Sequence, residues 1–160
     1  MRTSAIALAA LGLLVGLAPG SARAESRLEL ARYGARVGFS LTPDQFVAGF
    51  YGDFGEVAPS LTFRPSADLG IGNSLFSIVV NGDFQYSLRT PDLPAYPYVG
   101  AGLGLGYYSV DGGGDDTGIG LNLYVGAERS LGDLNSAHGE IRFGVGDIPD
   151  VKIVVGMGFY

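Results

Sequence analysis

The 160-residue chain contains no cysteine and a single histidine, His138. The first absence excludes disulfide stapling, a cysteine-based metal centre and an N-terminal lipid-modified cysteine. The second excludes any multi-histidine metal site. Basic residues are also scarce, with 10 Lys and Arg against 16 Asp and Glu and a formal net charge of −6. Nucleic acid requires a concentrated basic surface, so it is not an expected partner. Beyond residue 24 no stretch is apolar over the roughly 20 residues that a membrane helix needs. The 27 glycines, many at alternating positions, oppose helix further, at up to about 1 kcal/mol each.

The first 24 residues follow a different pattern. Met1-Arg2 precedes an apolar run from Ala5 to Leu17, a break at Pro19-Gly20 and the tripeptide Ala22-Arg23-Ala24. A positive start, a short apolar stretch and an Ala-x-Ala site predict a secretory leader, residues 1–24, cleaved after Ala24. Residues 25–160 are then expected to form one domain. Loss of Arg2 and Arg23 leaves 8 basic against 16 acidic residues, a net charge of −8.

What the remainder does contain is alternation. In Pro97–Tyr108 one set of alternate residues is Val99, Ala101, Leu103, Leu105 and Tyr107, and the other is Tyr98, Gly100, Gly102, Gly104, Gly106 and Tyr108. Successive side chains of a strand point to opposite faces, so this segment has one apolar face and one of glycine and tyrosine. The period of two persists along the chain and predicts eight strands, at 33–42, 45–54, 57–71, 75–88, 95–109, 118–130, 137–146 and 151–160. Turn chemistry punctuates them at Pro43-Asp44, Gly55-Glu56, Gly72–Ser74, Thr90–Pro94, Asp111–Thr117, Gly132–Asn135 and Asp147–Asp150. No interval accommodates a crossover helix, so neighbouring strands are expected to pair antiparallel as a meander.

The two faces set the class. Phe39, Phe50, Leu69, Val80, Leu123, Phe143 and Val155 fall on faces that carry no charge except Arg129 near one strand end. The opposite faces collect Arg36, Arg64, Arg142 and Lys152 with Asp53, Asp68, Asp83, Glu128 and Glu140. Water tolerates unbalanced charge, whereas an enclosed space demands pairing. The near balance of the polar face therefore predicts a lumen, and the uncharged face predicts contact with lipid, where a mid-depth Lys or Arg costs about 2–4 kcal/mol. The expected fold is all-β: an eight-stranded, antiparallel, up-and-down transmembrane barrel. Eight strands leave an interior that side chains just fill, so the lumen is expected to be plugged by this charge network and by Tyr51, Tyr98 and Tyr124 packed over strand glycines.

The early strand Tyr33-Gly-Ala-Arg-Val-Gly-Phe39, the central Pro97-Tyr-Val-Gly-Ala-Gly-Leu-Gly-Leu-Gly106 and the closing Val155-Gly-Met-Gly-Phe-Tyr160 together resemble the small eight-stranded bacterial outer-membrane barrels of the OmpA/OmpX-like class. The resemblance runs from Tyr33 to Tyr160 and implies a location in the Gram-negative outer membrane, with both termini periplasmic. It implies outer-membrane lipid and the outer-membrane assembly machinery as partners. The assembly signal would be a terminal aromatic: Phe159, which keeps the apolar register, or Tyr160, which ends the chain. It implies no cofactor and no catalysis, since the architecture alone specifies no activity. The short connections argue against loop-borne recognition and favour a structural role in the envelope.

Three local patterns invite other readings. Ser136, His138 and Glu140 share one strand face and suggest a hydrolytic set, as in a lipid-modifying outer-membrane enzyme. Lipid A deacylases, however, place His before Ser, and residues on one strand diverge rather than converge on a substrate. The expected roles are instead a turn serine, an interfacial histidine and a lumenal carboxylate. Asp111, Asp115 and Asp116 could supply oxygen ligands to calcium, but a Gly-rich acidic hairpin tip is the simpler expectation. The run GAGLGLG lies inside a strand pattern, where a dinucleotide-binding loop cannot form. A soluble periplasmic barrel enclosing an apolar ligand would require the two faces to be exchanged.

Overall fold

The computed structural model describes residues 29–88 and 93–160. The expected leader with its cleavage site at Ala24 lies outside the described residues, as does most of the Thr90–Pro94 joint. The described residues form nine strands: β1 (Arg32–Leu41), β2 (Asp44–Asp53), β3 (Glu56–Ala58), β4 (Leu61–Gly72), β5 (Leu75–Ser87), β6 (Tyr96–Val110), β7 (Asp115–Ser130), β8 (Asn135–Gly146) and β9 (Val151–Phe159). Every pairing is antiparallel. The sheet runs β2-β1-β9-β8-β7-β6-β5-β4-β3, and β2 also pairs with β4. Eight strands thus close into a barrel, with β1 sealed against β9 from Tyr33↔Phe159 to Ser40↔Lys152. Closure removes the sheet edges and satisfies the backbone without water, the condition for crossing a bilayer with strands.

The strand expected at 57–71 is two strands in the structure. Pro59 cannot donate to a ladder, and Ser60 adopts a positive φ of 63°, so the chain turns there and β3 folds onto the end of β4 as a small extension of the rim. The sixth barrel strand begins at Asp115 rather than at 118, because Asp115, Asp116 and Thr117 pair with Ser109, Tyr108 and Tyr107. The connection expected over Asp111–Thr117 therefore shrinks to Asp111–Gly114. At the other end β8 starts at Asn135, which places Ser136 within a strand rather than in a turn.

The apolar set faces outward: Phe39 is 60% exposed, Phe50 72% and Val155 58%, while Arg36, Arg64, Asp83 and Arg142 are at most 2% exposed. A protein folded for water has the reverse distribution. Apart from Asp44 and Asp115 beside their turns, Arg129 is the charged residue on the outward face of the eight barrel strands. Aromatic pairs band the wall near both ends. Tyr33 meets Phe159 at 5.8 Å and Phe63 meets Phe84 at 5.3 Å toward the rim that carries the termini, and Phe39 meets Phe46 edge-on at 5.6 Å toward the opposite rim.

Candidate functional site

The interior is the chemically distinctive part of the molecule, and it is built in layers along the strands. Alternation forces Arg36, Ser66, Asp68, Asn81, Asp83, Asn122, Glu140, Arg142 and Lys152 into the middle of the lumen, all 6% exposed or less. Arg36 grips Asp68 through Nε at 2.8 Å and Nη2 at 2.9 Å, and also donates to Ser66 Oγ (2.8 Å) and Glu140 Oε1 (3.2 Å). Lys152 Nζ donates to the same Asp68 at 2.9 Å. Arg142 bridges Asp83, at 2.6 Å, and Glu140. A neutral chain continues the network: Asn122 donates to Asn81 at 2.7 Å, and Asn81 to Ser66 at 3.1 Å. Bidentate and shared contacts of this kind allow charges to be held out of water, and Arg36, Asp68 and Glu140 each take part in three or more hydrogen bonds.

Toward the terminal rim a second layer gathers Arg32, Asp53, Arg64 and Glu128. Asp53 accepts from both Arg32 and Arg64, and Glu128 is paired with Arg32. Arg32 is the residue that the sequence pattern missed, since the first strand was expected to begin at 33. Its inclusion makes the inward set five cations against five anions, where the expected set was one cation short. The signal was available: Arg32 has the parity of Arg36. Tyrosine rings fill the space between the layers. Arg142 stacks on Tyr124 at 4.3 Å and Arg64 on Tyr51 at 4.7 Å, both within cation–π range. The central glycine run makes this possible, because a Cβ at Gly100 would strike the Tyr124 ring and one at Gly102 would strike Asp83.

The opposite end is closed by backbone. At the end of β8, Gly146 adopts φ 107° and sends the β8–β9 turn, Asp147–Asp150, inward across the mouth. Gly146 requires glycine for that conformation. Ile148 becomes 5% exposed, and its side chain sits against Gly104, Gly120 and Gly144. Asp147 N donates to Ile119 O at 3.1 Å, Gly144 N to Asp150 O at 2.8 Å, and Asp150 N to Thr42 O at 2.9 Å, so the turn is tied to three surrounding segments. The lumen is therefore stopped twice, by side chains at mid-depth and by a turn at one mouth. At the terminal rim it widens into a vestibule of about 630 Å³ lined by Arg32, Asp53, Gln85, Tyr96, Tyr98 and Glu128.

The remaining sequence candidates resolve as follows. Ser136 and His138 both point into the lumen from β8, not into a turn or the membrane interface, because they share the parity of Glu140. Ser136 Oγ accepts from Arg32 Nη1 at 3.1 Å, the Tyr51 hydroxyl lies 3.4 Å from His138 Nδ1, and Glu140 is bound by Arg36, Arg142 and the Tyr98 hydroxyl. Each of the three thus has its own partner, and the serine oxygen is turned toward a guanidinium rather than toward the imidazole. Asp115 and Asp116 occupy opposite faces of β7, and among the described residues no group of three His, Cys, Asp or Glu is placed to hold a metal. Phe159 faces outward beside Tyr33. Tyr160 turns over the lumen mouth, where Arg32 lies 5.2 Å above its ring and donates to its hydroxyl at 3.1 Å.

No protein-family model and no curated protein matches the sequence. Solved structures do match in fold. The N-terminal β-barrel domain of Pseudomonas aeruginosa OprF superposes with a TM-score of 0.68 at 17% identity, over 80% of this chain and 94% of that one. Neisserial surface protein A gives 0.62 at 20% identity, over 80% and 94%. A de novo designed transmembrane β-barrel gives 0.55 at 19% identity, over 80% and 92%. Each match spans nearly the whole of the other barrel at 20% identity or below, so the likeness is one of fold. The chain has the fold of the small eight-stranded outer-membrane β-barrels.

Proposed function

We propose that this protein is an integral component of the bacterial outer membrane, with the terminal rim on the periplasmic side and a structural, non-catalytic role in the envelope. The observation that carries the reading is a charge-neutral, mutually bonded lumen inside an apolar wall whose few charges, Asp44, Asp115 and Arg129, lie near the strand ends. Such a cylinder lends itself neither to conduction nor to presenting a reactive group to lipid. Its partners in this reading are outer-membrane lipid along the wall and the assembly machinery at the terminal aromatic, Phe159 or Tyr160. The buried position of Ser136, with Arg32 on its oxygen, supports the absence of hydrolytic activity.

The first test is the gel mobility of the membrane fraction in dodecyl sulfate, with and without boiling. A closed barrel resists the detergent until heated, so the unboiled sample is expected to run as a shifted band in the outer-membrane fraction. A soluble periplasmic protein with no heat-dependent shift would overturn the proposal. Planar bilayers carrying the purified protein are expected to stay electrically silent, and steady high conductance would sink the plugged-lumen reading.

A further inference from the structure

The outer wall is not uniform. Along the β7–β8 ladder the outward pairs are Leu121↔Val145, Leu123↔Phe143 and Val125↔Ile141, and then Ala127↔Gly139 and Arg129↔Ala137. In the last two outward rows before the terminal rim, Ala127, Gly139 and Ala137 replace the large apolar side chains of the rows above, and Arg129 is the one long side chain. The result is a groove of about 580 Å³ whose floor is Ala127, Ala137 and Gly139, flanked by Val155 and Met157 of β9, with Arg129 at its rim end. Gly139 faces open space, and a Cβ there would meet only Val155, at 3.9 Å. The groove and the charge on the outward wall therefore coincide, at the depth where the aromatic band at Tyr33 and Phe159 marks the interface.

We infer that this groove is a binding site for one anionic phospholipid, its phosphate held by Arg129 and one acyl chain lying over Ala127, Ala137 and Gly139. The inference rests on the membrane reading above. A guanidinium engages a phosphate in bidentate fashion, and no ion pair of Arg129 is present among the described residues. The adjoining Glu128 points the other way, into the lumen, where Arg32 occupies it. Among the described residues no carboxylate lines the groove to meet the ammonium of a zwitterionic headgroup, which favours a net anionic one. A second copy of the chain is a poorer occupant. A twofold contact through this patch sets the patch against itself, bringing two Arg129 side chains together where lipid weakens screening.

The experiment is native mass spectrometry of the full-length protein extracted from membranes, with phosphatidylglycerol and phosphatidylethanolamine of identical chains added in turn. The wild type is expected to retain a single phosphatidylglycerol in preference to phosphatidylethanolamine. Gly139→Leu fills the groove from outside without touching the lumen and is expected to lower retention of both lipids by about tenfold or more. Arg129→Gln is expected to abolish the preference for phosphatidylglycerol by a similar factor, about tenfold, while the groove still takes an acyl chain. A folded barrel that retains no lipid, or equal retention in wild type and Gly139→Leu, would overturn the site. So would a dimer that Gly139→Leu dissolves, since the groove would then belong to a second copy. The heat-dependent gel shift of each variant keeps failure of the site separate from failure of the membrane reading, which alone predicts that shift.

Discussion

Replacing Arg142 with methionine is expected to destabilise the barrel by about 3–5 kcal/mol, the usual effect of removing one partner from a buried ion pair. Arg142 is 1% exposed and bridges Asp83 and Glu140, so Arg142→Met leaves two carboxylates facing each other in a space with little water. The two are not equally stranded. Glu140 keeps Arg36 at 3.2 Å and the Tyr98 hydroxyl at 3.1 Å, whereas Asp83 has Arg142 as its ion-pair partner among the described residues. Arg142→Met combined with Asp83→Asn is therefore expected to recover about 1–3 kcal/mol of the loss, the coupling typical of contacting residues. The readout is the urea midpoint of unfolding from lipid vesicles for both single variants and the double. Strict additivity would mean that the two side chains do not act as a pair.

The second large effect concerns the inward turn. At Gly118 a Cβ would meet the backbone carbonyl of Asp147, and at Gly144 the backbone carbonyl of Pro149. Backbone cannot rotate away as a side chain can, so Gly118→Val or Gly144→Val is expected to eject residues 147–150 from the mouth, at about 1–3 kcal/mol of overpacking if the turn stayed in place. Digestion with a protease specific for aspartate should then give a new cut at Asp147 or Asp150 that is absent from the wild type. Gly114→Val serves as the control, since nothing lies within 4 Å of a Cβ there and its φ is not positive. Bilayer conductance is expected to remain absent in the ejected variants, because the Arg36–Asp68–Lys152 and Arg142–Asp83 contacts still fill the mid-lumen. A channel appearing in Gly144→Val would make the turn the principal stop and the side chains a secondary one.

Much of this architecture was legible in the chain, because the two faces of a strand are sorted by residue type alone. The parity of Arg36, Arg64, Asp68, Asp83, Glu140, Arg142 and Lys152 assigns each to the same side of its strand, and the scarcity of charge opposite them marks the other side as the apolar outer wall. Strand ends were harder. Arg32 fell one residue outside its expected strand and Ser136 outside its own, since the ladder is extended by hydrogen bonds between neighbours that a single strand's pattern does not register. Pro59-Ser60 could have been recognised as a turn, but the apolar residues around it continued the alternation and masked it.

The sequence by itself determined the period of two, the strand count of the barrel, the polarity of its two faces and the exclusion of cysteine-based and multi-histidine metal sites. Each of these depends on which residues lie two apart, and chain connectivity alone carries that information. Only the tertiary structure decided which charges meet. Asp68 is shared by Arg36 and Lys152 because β1 joins β9 and β2 joins β4, and these closures bring together residues 32 and 84 positions apart. Only the tertiary structure, too, explains the glycines of β6, β7 and β8. Their missing side chains leave room for Tyr124, Asp83, Ile148 and the backbone of the turn, and what fills a space comes from the neighbouring strand or the inward turn rather than from the strand that leaves it empty.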